Sequence, residues 1–325
     1  MKALRVSVTD RCNFRCPYCM PREDFGEEFR FLDRGEILTF EEIVRLVRIF
    51  TGLGVEKVRL TGGEPTLRRG LPELVRQLAT LPGLREVTVT TNGSMLAGLA
   101  RPLKDAGLDR ITVSLDSLDP VRFQANADTA VPLAQVLGGL QAARSAGFRN
   151  IKLNCVLRRG VNDVDILPLA AFAREQGHTL RFIEYMDVGT RNGWRLDAVV
   201  PAAEVAETIS RRWPIERFRK TAPNCVAQHW RYLDGGGELG LIASVTEPFC
   251  AGCDRARLSA DGSLYTCLFA AKGLDLKTFL RAGGSDEDLA ALVAARWKRR
   301  DDRYSEQRSA DTVNLPRAEM YHLGG

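Results

Sequence analysis

The sequence predicts an α/β protein: a partial (βα)6 barrel of the TIM type over residues 1–188, then a smaller α+β domain over residues 189–325. Three features lead there. Strand-like runs alternate with helical runs through the first part of the chain. Those strands alternate polar and apolar residues, where parallel strands covered on both faces are usually apolar throughout. The rhythm stops after Met186, where a less regular region with its own cysteines begins.

Strands are expected over residues 4–9, 57–61, 86–91, 110–116, 150–157 and 180–186. Helices are expected over 40–50, 71–81, 96–106, 133–146 and 166–175, with Gly54, Gly83, Gly107, Gly147 and Gly177 where they should stop. One strand face reads Leu4, Val6, Val8, Val58, Leu60, Val87, Val89, Ile111, Val113, Ile151 and Leu153. The other reads Arg5, Ser7, Arg59, Thr61, Thr88, Thr90, Thr112, Ser114, Lys152 and Asn154. Period two puts each set on one side. The apolar set should pack under the helices and the polar set should line the lumen. Buried charge is costly unless compensated, so Arg5, Arg59 and Lys152 imply a wet cavity or an anionic ligand. The competing reading is one sheet with an open, solvated face.

Cys12, Cys16 and Cys19 follow the first strand, spaced C-x3-C-x2-C. Thiolates so close in sequence can converge on one metal centre. An iron–sulfur cube normally takes four cysteines, so three leave one iron open, and an open position marks a site that does chemistry. A structural zinc site or buried inert thiols are the plainer alternatives. The turns Thr61-Gly62-Gly63-Glu64-Pro65, Thr90-Thr91-Asn92-Gly93 and Ser114-Leu115-Asp116-Ser117 end successive strands at the same end. Such folds build their sites there. Gly62 and Gly63 would let backbone approach a ligand closely.

Eight cysteines in a chain that opens directly on a strand point to a reducing cytoplasm and metal ligation. No apolar run reaches membrane length, and a net charge of +5 is too mild for nucleic-acid binding. Residues 189–201 read as a connection. Beyond them Cys250, Cys253 and Cys267 form a second trio, C-x2-C-x13-C, with Arg255 and Arg257 on a strand leading to a turn at Asp261-Gly262. Two apart on a strand, these arginines share a side and suit a phosphate. Zinc would need a fourth ligand, and His229 and His322 are badly spaced for it. Cys155 and Cys225 match no ligand spacing.

C-x3-C-x2-C with Tyr18 before its last cysteine resembles the radical S-adenosylmethionine (SAM) enzymes. That resemblance implies a 4Fe-4S cluster on Cys12, Cys16 and Cys19 whose open iron chelates SAM. It also implies SAM contacts at Gly63, Ser114, Met186 and the backbone of Tyr18. Two trios, the six-strand rhythm, the segment Arg181-Phe182-Ile183-Glu184-Tyr185-Met186 and a terminal Gly324-Gly325 resemble, more narrowly, the GTP 3′,8-cyclase family of molybdenum cofactor biosynthesis. That family implies a lyase with a second 4Fe-4S cluster on Cys250, Cys253 and Cys267, whose open iron binds guanine. It implies GTP contacts at Arg5, Arg59, Thr90, Lys152, Arg255, Ala256 and Arg257, and a diglycine tail that assists at the active site. It further implies a flavodoxin- or ferredoxin-type electron donor, a cyclic pyranopterin monophosphate synthase downstream, and a C-terminal domain closing the barrel at its base. Neither nucleic acid nor a membrane is an expected partner, and the protomer is expected as monomer or homodimer. The chain departs from the family in its short lead-in and in residues 124–131. Two alternatives remain open: a radical SAM peptide-modifying maturase, and a non-enzymatic zinc-stabilised nucleotide-binding module.

Overall fold

The computed structural model describes residues 1–218, 226–250, 252–308 and 317–324. In chain order the first half runs β1 (Ala3–Ser7), α1 (Phe40–Gly52), β2 (Lys57–Thr61), α2 (Leu71–Ala79), β3 (Glu86–Thr91), α3 (Leu96–Asp105), β4 (Arg110–Ser114), α4 (Pro120–Ala127), α5 (Leu133–Ser145), β5 (Lys152–Leu157), α6 (Ile166–Gln176) and β6 (Thr179–Glu184). The second half adds α7 (Ala202–Arg212), β7 (Ile215–Phe218), β8 (Gln228–Tyr232), β9 (Glu238–Ile242), β10 (Arg255–Leu258), β11 (Ser263–Tyr265), β12 (Leu274–Asp275), α8 (Lys277–Arg281), α9 (Asp286–Lys298), α10 (Tyr304–Gln307) and α11 (Met320–Leu323).

Local chemistry sets the helix ends. Thr39 and Glu42 form a reciprocal capping box at α1, and Gly177 ends α6 in the left-handed conformation. Helix α4 was not expected from sequence, and its second half overlaps residues 124–131, where the chain departs from the family. Asp119 caps it by accepting from Arg122 N, and Pro120 opens it. Strands β1, β4 and β6 each end two residues earlier than expected. There the chain leaves the ladder to form the loops of the site.

The six barrel strands run parallel and in sequence order. Their apolar set is buried under the helices: Leu4, Val6, Val58, Leu60, Val89, Ile111, Val113, Ile151 and Leu153 are all fully buried. The second half joins this sheet sideways, at both edges, where a cap at the base was expected. Strand β10 pairs parallel with β1, and β9 pairs parallel with β6. Antiparallel β11 and β12 extend one edge, and β8 and β7 the other. The result is one twelve-stranded sheet. Near the N-terminal ends of the strands Glu86 pairs with both Lys57 and Arg110, so the charges there are partly compensated by protein.

Glu184, at the end of β6, couples the halves. Its carboxylate accepts from Ala202 N at 2.9 Å, Val245 N at 2.7 Å, Thr246 N at 2.9 Å and Thr246 Oγ1 at 2.5 Å, and the residue is buried. Glu184→Leu would strand these donors. It should cost about 2–4 kcal/mol of unfolding free energy, read by denaturant titration; a loss below about 1 kcal/mol would contradict the coupling role.

Candidate active site

A single cavity opens at the C-terminal ends of the barrel strands, and both cysteine trios line it. So do Arg5, Arg59, Arg181, Arg255 and Arg257, together with Tyr18, Gly63, Thr90, Ser114, Asp116, Asn154 and Met186. The strand register explains this meeting. Arg5 on β1 stands opposite Arg59 on β2 and opposite Arg257 on β10. The sidewise attachment of β10 therefore brings the second trio to the same chamber as the first.

The first trio is held by its own loop and by the next two turns. Cys19 N and Met20 N bond Cys16 O at 2.9 and 2.8 Å. Arg15 gathers the loop from within, donating to Cys12 O at 2.7 Å, Phe14 O at 3.0 Å and Phe25 O at 2.8 Å. Asn92, from the turn after β3, donates to Asn13 Oδ1 at 2.9 Å, and Asn13 donates to Ser94 Oγ at 3.0 Å. The Gly62-Gly63 turn lies against the chain entering the cysteine loop. Gly63 N bonds Thr9 O and Glu64 N bonds Arg11 O, both at 2.8 Å. A Cβ on Gly63 would collide with the backbone of Asp10 and Arg11, so this glycine admits protein backbone as well as facing the cavity. Buried Glu64 fastens the same turn to the end of β3, accepting from Thr66 N, Thr91 Oγ1 and Asn92 N.

The second trio is organised similarly. Cys253 N bonds Cys250 O at 3.1 Å. Arg255 donates to Cys253 Sγ at 3.2 Å and Phe269 N donates to Cys267 Sγ at 3.4 Å. The expected turn at Asp261-Gly262 joins β10 to β11.

These donor sets fit iron–sulfur clusters. The described cysteines are free of disulfides. Among the described residues no three Cys, His, Asp or Glu side chains are gathered closely enough to hold one metal ion. Burial, and then Glu64, pushes the Cys12 thiol up to about 12, and burial does the same for Cys19. Crowded thiols in a dry pocket ionise readily only beside a strong positive charge, which a polynuclear iron centre supplies. Cys253 differs: burial raises its pKa, but Arg255 outweighs it and holds the thiol below its usual range.

The cationic wall is crowded. Burial, then Arg257, Arg59, Arg255 and Arg181, depress Arg5. Arg59 is aimed by its bonds to Thr90 Oγ1 at 3.0 Å and Thr112 Oγ1 at 3.4 Å. Thr90 thus orients an arginine in this structure. Lys152 and Ala256 do not line the cavity. Ala256 points to the apolar side of β10 and is fully buried, and Lys152 stands close enough to Arg181, Arg110, Lys57 and Arg59 to feel their charge. A polyanion would relieve this repulsion.

The C-terminal tail reaches the same place. Arg257 donates to the carbonyls of Leu323 and Gly324. Gly324 packs against Thr61 so closely that a Cβ would strike the Thr61 hydroxyl. Gly325 lies outside the described residues, as do Cys225 and Ala251. Asp116, Arg15 and Arg181 are site residues that sequence reasoning did not assign. Asp116 accepts from Tyr18 Oη at 2.7 Å and Val156 N at 2.9 Å. Its place two residues after Ser114, on the polar face, was the available signal.

The radical SAM superfamily description matches residues 6–173, and that for molybdenum cofactor synthesis C matches residues 178–306. The chain is 57% identical over 319 residues to a GTP 3′,8-cyclase of Acidothermus cellulolyticus, covering 96% of this chain and 87% of that one. It is 48% identical over 325 residues to a GTP 3′,8-cyclase of Xanthomonas axonopodis pv. citri, covering 100% and 96%. Streptococcus suis SuiB bound to S-adenosylmethionine shares the fold, with TM-score 0.59 and 15% identity over 99% of this chain and 71% of that one.

Gly63→Ala should force the turn away from the cysteine loop. Amide exchange at Gly63 and Glu64 should quicken at least about ten-fold, measured by NMR or mass spectrometry; unchanged protection would show that the close packing against Arg11 is dispensable.

Proposed function

Because the chain belongs to the radical SAM superfamily, and within it to the GTP 3′,8-cyclase family, we propose that it converts GTP to (8S)-3′,8-cyclo-7,8-dihydroguanosine 5′-triphosphate. This is the first step of molybdenum cofactor biosynthesis and a lyase reaction. The observation that carries the reading is the single chamber lined by two cysteine trios and a wall of arginines.

In this reading Cys12, Cys16 and Cys19 hold one 4Fe-4S cluster, and Cys250, Cys253 and Cys267 hold the other. When bound, the first cluster would supply the electron for cleavage of S-adenosylmethionine to methionine and a 5′-deoxyadenosyl radical, and the second would supply Lewis-acidic iron for binding the guanine. The chain's residues position the reactants. Gly63, Ser114, Met186 and Tyr18 seat S-adenosylmethionine, with the Tyr18 hydroxyl fixed on Asp116. Arg5, Arg59, Arg255 and Arg257 neutralise the triphosphate, with Thr90 aiming Arg59; Lys152 adds charge from beside the chamber, and Ala256 contributes backbone only. Transfer of the C3′ hydrogen to the 5′-deoxyadenosyl radical and bonding of C3′ to C8 leave one unpaired electron on the purine, and uptake of a second electron from the donor and one proton at N7 gives the cyclised dihydro nucleotide. A flavodoxin- or ferredoxin-type protein supplies electrons, and a cyclic pyranopterin monophosphate synthase takes the product. The enzyme works in the cytoplasm as monomer or homodimer, with the barrel over 1–188 and the second cluster's domain over 189–325. No helix among the described residues is long and apolar enough to cross a membrane.

Anaerobic incubation of the iron-reconstituted protein with GTP, S-adenosylmethionine and dithionite should yield the cyclised nucleotide and 5′-deoxyadenosine. Deoxyadenosine alone, with GTP intact, would contradict the reading. Cys16→Ser should abolish deoxyadenosine, whereas Cys253→Ser should keep some of it and lose cyclisation. Arg257→Ala should weaken GTP binding by roughly ten-fold or more, with iron content unchanged; wild-type affinity would remove it from the phosphate site.

Lys152 adds a pH dependence. Burial, and then Arg181, Arg110 and Lys57, lower it to about 6, so it is mostly neutral at pH 8 before GTP binds. A triphosphate favours the charged form and raises that pKa. Binding should therefore take up roughly one proton near pH 8, and affinity should fall as pH climbs above about 6. Calorimetry in buffers of different ionisation enthalpy reads this uptake, and Lys152→Met should remove it; equal uptake in the variant would acquit Lys152.

A further inference from the structure

Asp187 directly follows Met186 at the exit of β6, and it is buried. Its carboxylate meets two guanidiniums. Arg308 donates to Asp187 Oδ1 at 3.0 Å, and Arg317 donates to Oδ2 at 2.9 Å and to the Asp187 carbonyl. The Tyr304 hydroxyl donates to Oδ2 at 2.5 Å. The carboxylate and both guanidiniums are thereby largely withdrawn from water, with the partly buried Tyr304 at their edge. Two residues on, the same loop receives the tail again. Gly189 has φ +76°, and a Cβ there would collide with the Glu319 carboxylate. Thr190 donates to Glu319 Oε1 through both N and Oγ1, each at 3.0 Å. Beyond these contacts Tyr321 packs on Phe25 with ring centroids 4.8 Å apart, Leu323 is fully buried, and Gly324 reaches Thr61 and Arg257.

We propose that Asp187 is a positioning residue: with Gly189 and Thr190 it forms a receptor loop that sets the register of residues 317–324 and so delivers Gly324 into the chamber. The physical case rests on shared contacts and reach. One buried carboxylate accepts from two guanidiniums and a hydroxyl, so neutralising it weakens all three charge-assisted bonds at once, whereas losing one arginine leaves the other bonds in place. Six residues lie between Arg317 and Gly324, and three of them, Glu319, Tyr321 and Leu323, are held by the contacts above. The loop that sets this register is the one that carries the Met186 backbone to the cavity. A tail fixed here is therefore placed relative to the seat of S-adenosylmethionine as well as to Arg257. This inference rests on the cyclase reading for its activity readout, and on geometry alone for the rest.

The test uses the full-length, iron-reconstituted protein and the Asp187→Asn variant. Hydrogen exchange at Ala318, whose amide bonds Ala270 O at 3.1 Å, should quicken at least about ten-fold in the variant. Iron content and S-adenosylmethionine affinity should stay at wild-type values, and the ratio of 5′-deoxyadenosine to cyclised nucleotide should rise at least about five-fold as turnover uncouples. A variant tail as protected as wild type, or a released tail with an unchanged ratio, would overturn the proposal. If Asp187→Asn does not fold, Thr190→Ala loosens the receptor from the surface and must shift the same two readouts in the same direction; no shift in either overturns it. Were the wild type to make no cyclised nucleotide, the cyclase reading would fail, while the exchange comparison would still decide whether Asp187 anchors the tail.

Discussion

The parallel pairing of β10 with β1 is the contact on which the site depends. It aligns Arg257 with Arg5 and Arg5 with Arg59 across three neighbouring strands. It also carries Cys250, Cys253 and Cys267 to the rim of a cavity already lined by Cys12, Cys16 and Cys19. Without it the two trios would belong to separate halves. A partial barrel leaves β1 with an unpaired edge, and unpaired edges must be covered or joined. The second half covers that edge and, by the same hydrogen bonds, finishes the chamber.

Charge is distributed unevenly along the barrel axis. Near the N-terminal ends of the strands Lys57 and Arg110 share Glu86, so that layer carries a counter-ion of its own. Higher up, Arg5, Arg59, Arg255 and Arg257 face one another, and burial and mutual repulsion depress Arg5 and Arg257. A fold keeps such a cluster only when a ligand or a carbonyl answers it. Here the carbonyls of Leu323 and Gly324 answer Arg257, so the tail occupies ground that a phosphate would also seek. On the proposed function tail and substrate would share one arginine, and the proposed receptor loop at Asp187 to Thr190 would set how the tail sits there.

Much of this was readable from the chain. Period-two alternation identified both faces of the first five barrel strands, because the lumen is polar enough to break the usual apolar run of a parallel strand. The cysteine spacings marked both trios without help from structure. What stayed hidden depends on contacts distant in sequence. Nothing near Arg255 says that β10 pairs with β1, a separation of some 250 residues. Arg15 is an ordinary loop arginine until its three carbonyl partners are seen. Asp187 has no local signature, since its partners lie more than 110 residues away. Helix α4 was missed because its apolar stripe is short, although Asp119-Pro120 was a legible start signal.

The central claim is that the cofactor of one half and the substrate of the other meet in this chamber. The most direct measurement is mass spectrometry of the 5′-deoxyadenosine formed from GTP carrying deuterium at C3′. Shared occupancy predicts that the deoxyadenosine gains one deuterium in each productive turnover. Cyclised product accompanied by unlabelled deoxyadenosine would mean that hydrogen leaves GTP by another route, and that the two halves do not work across a common space.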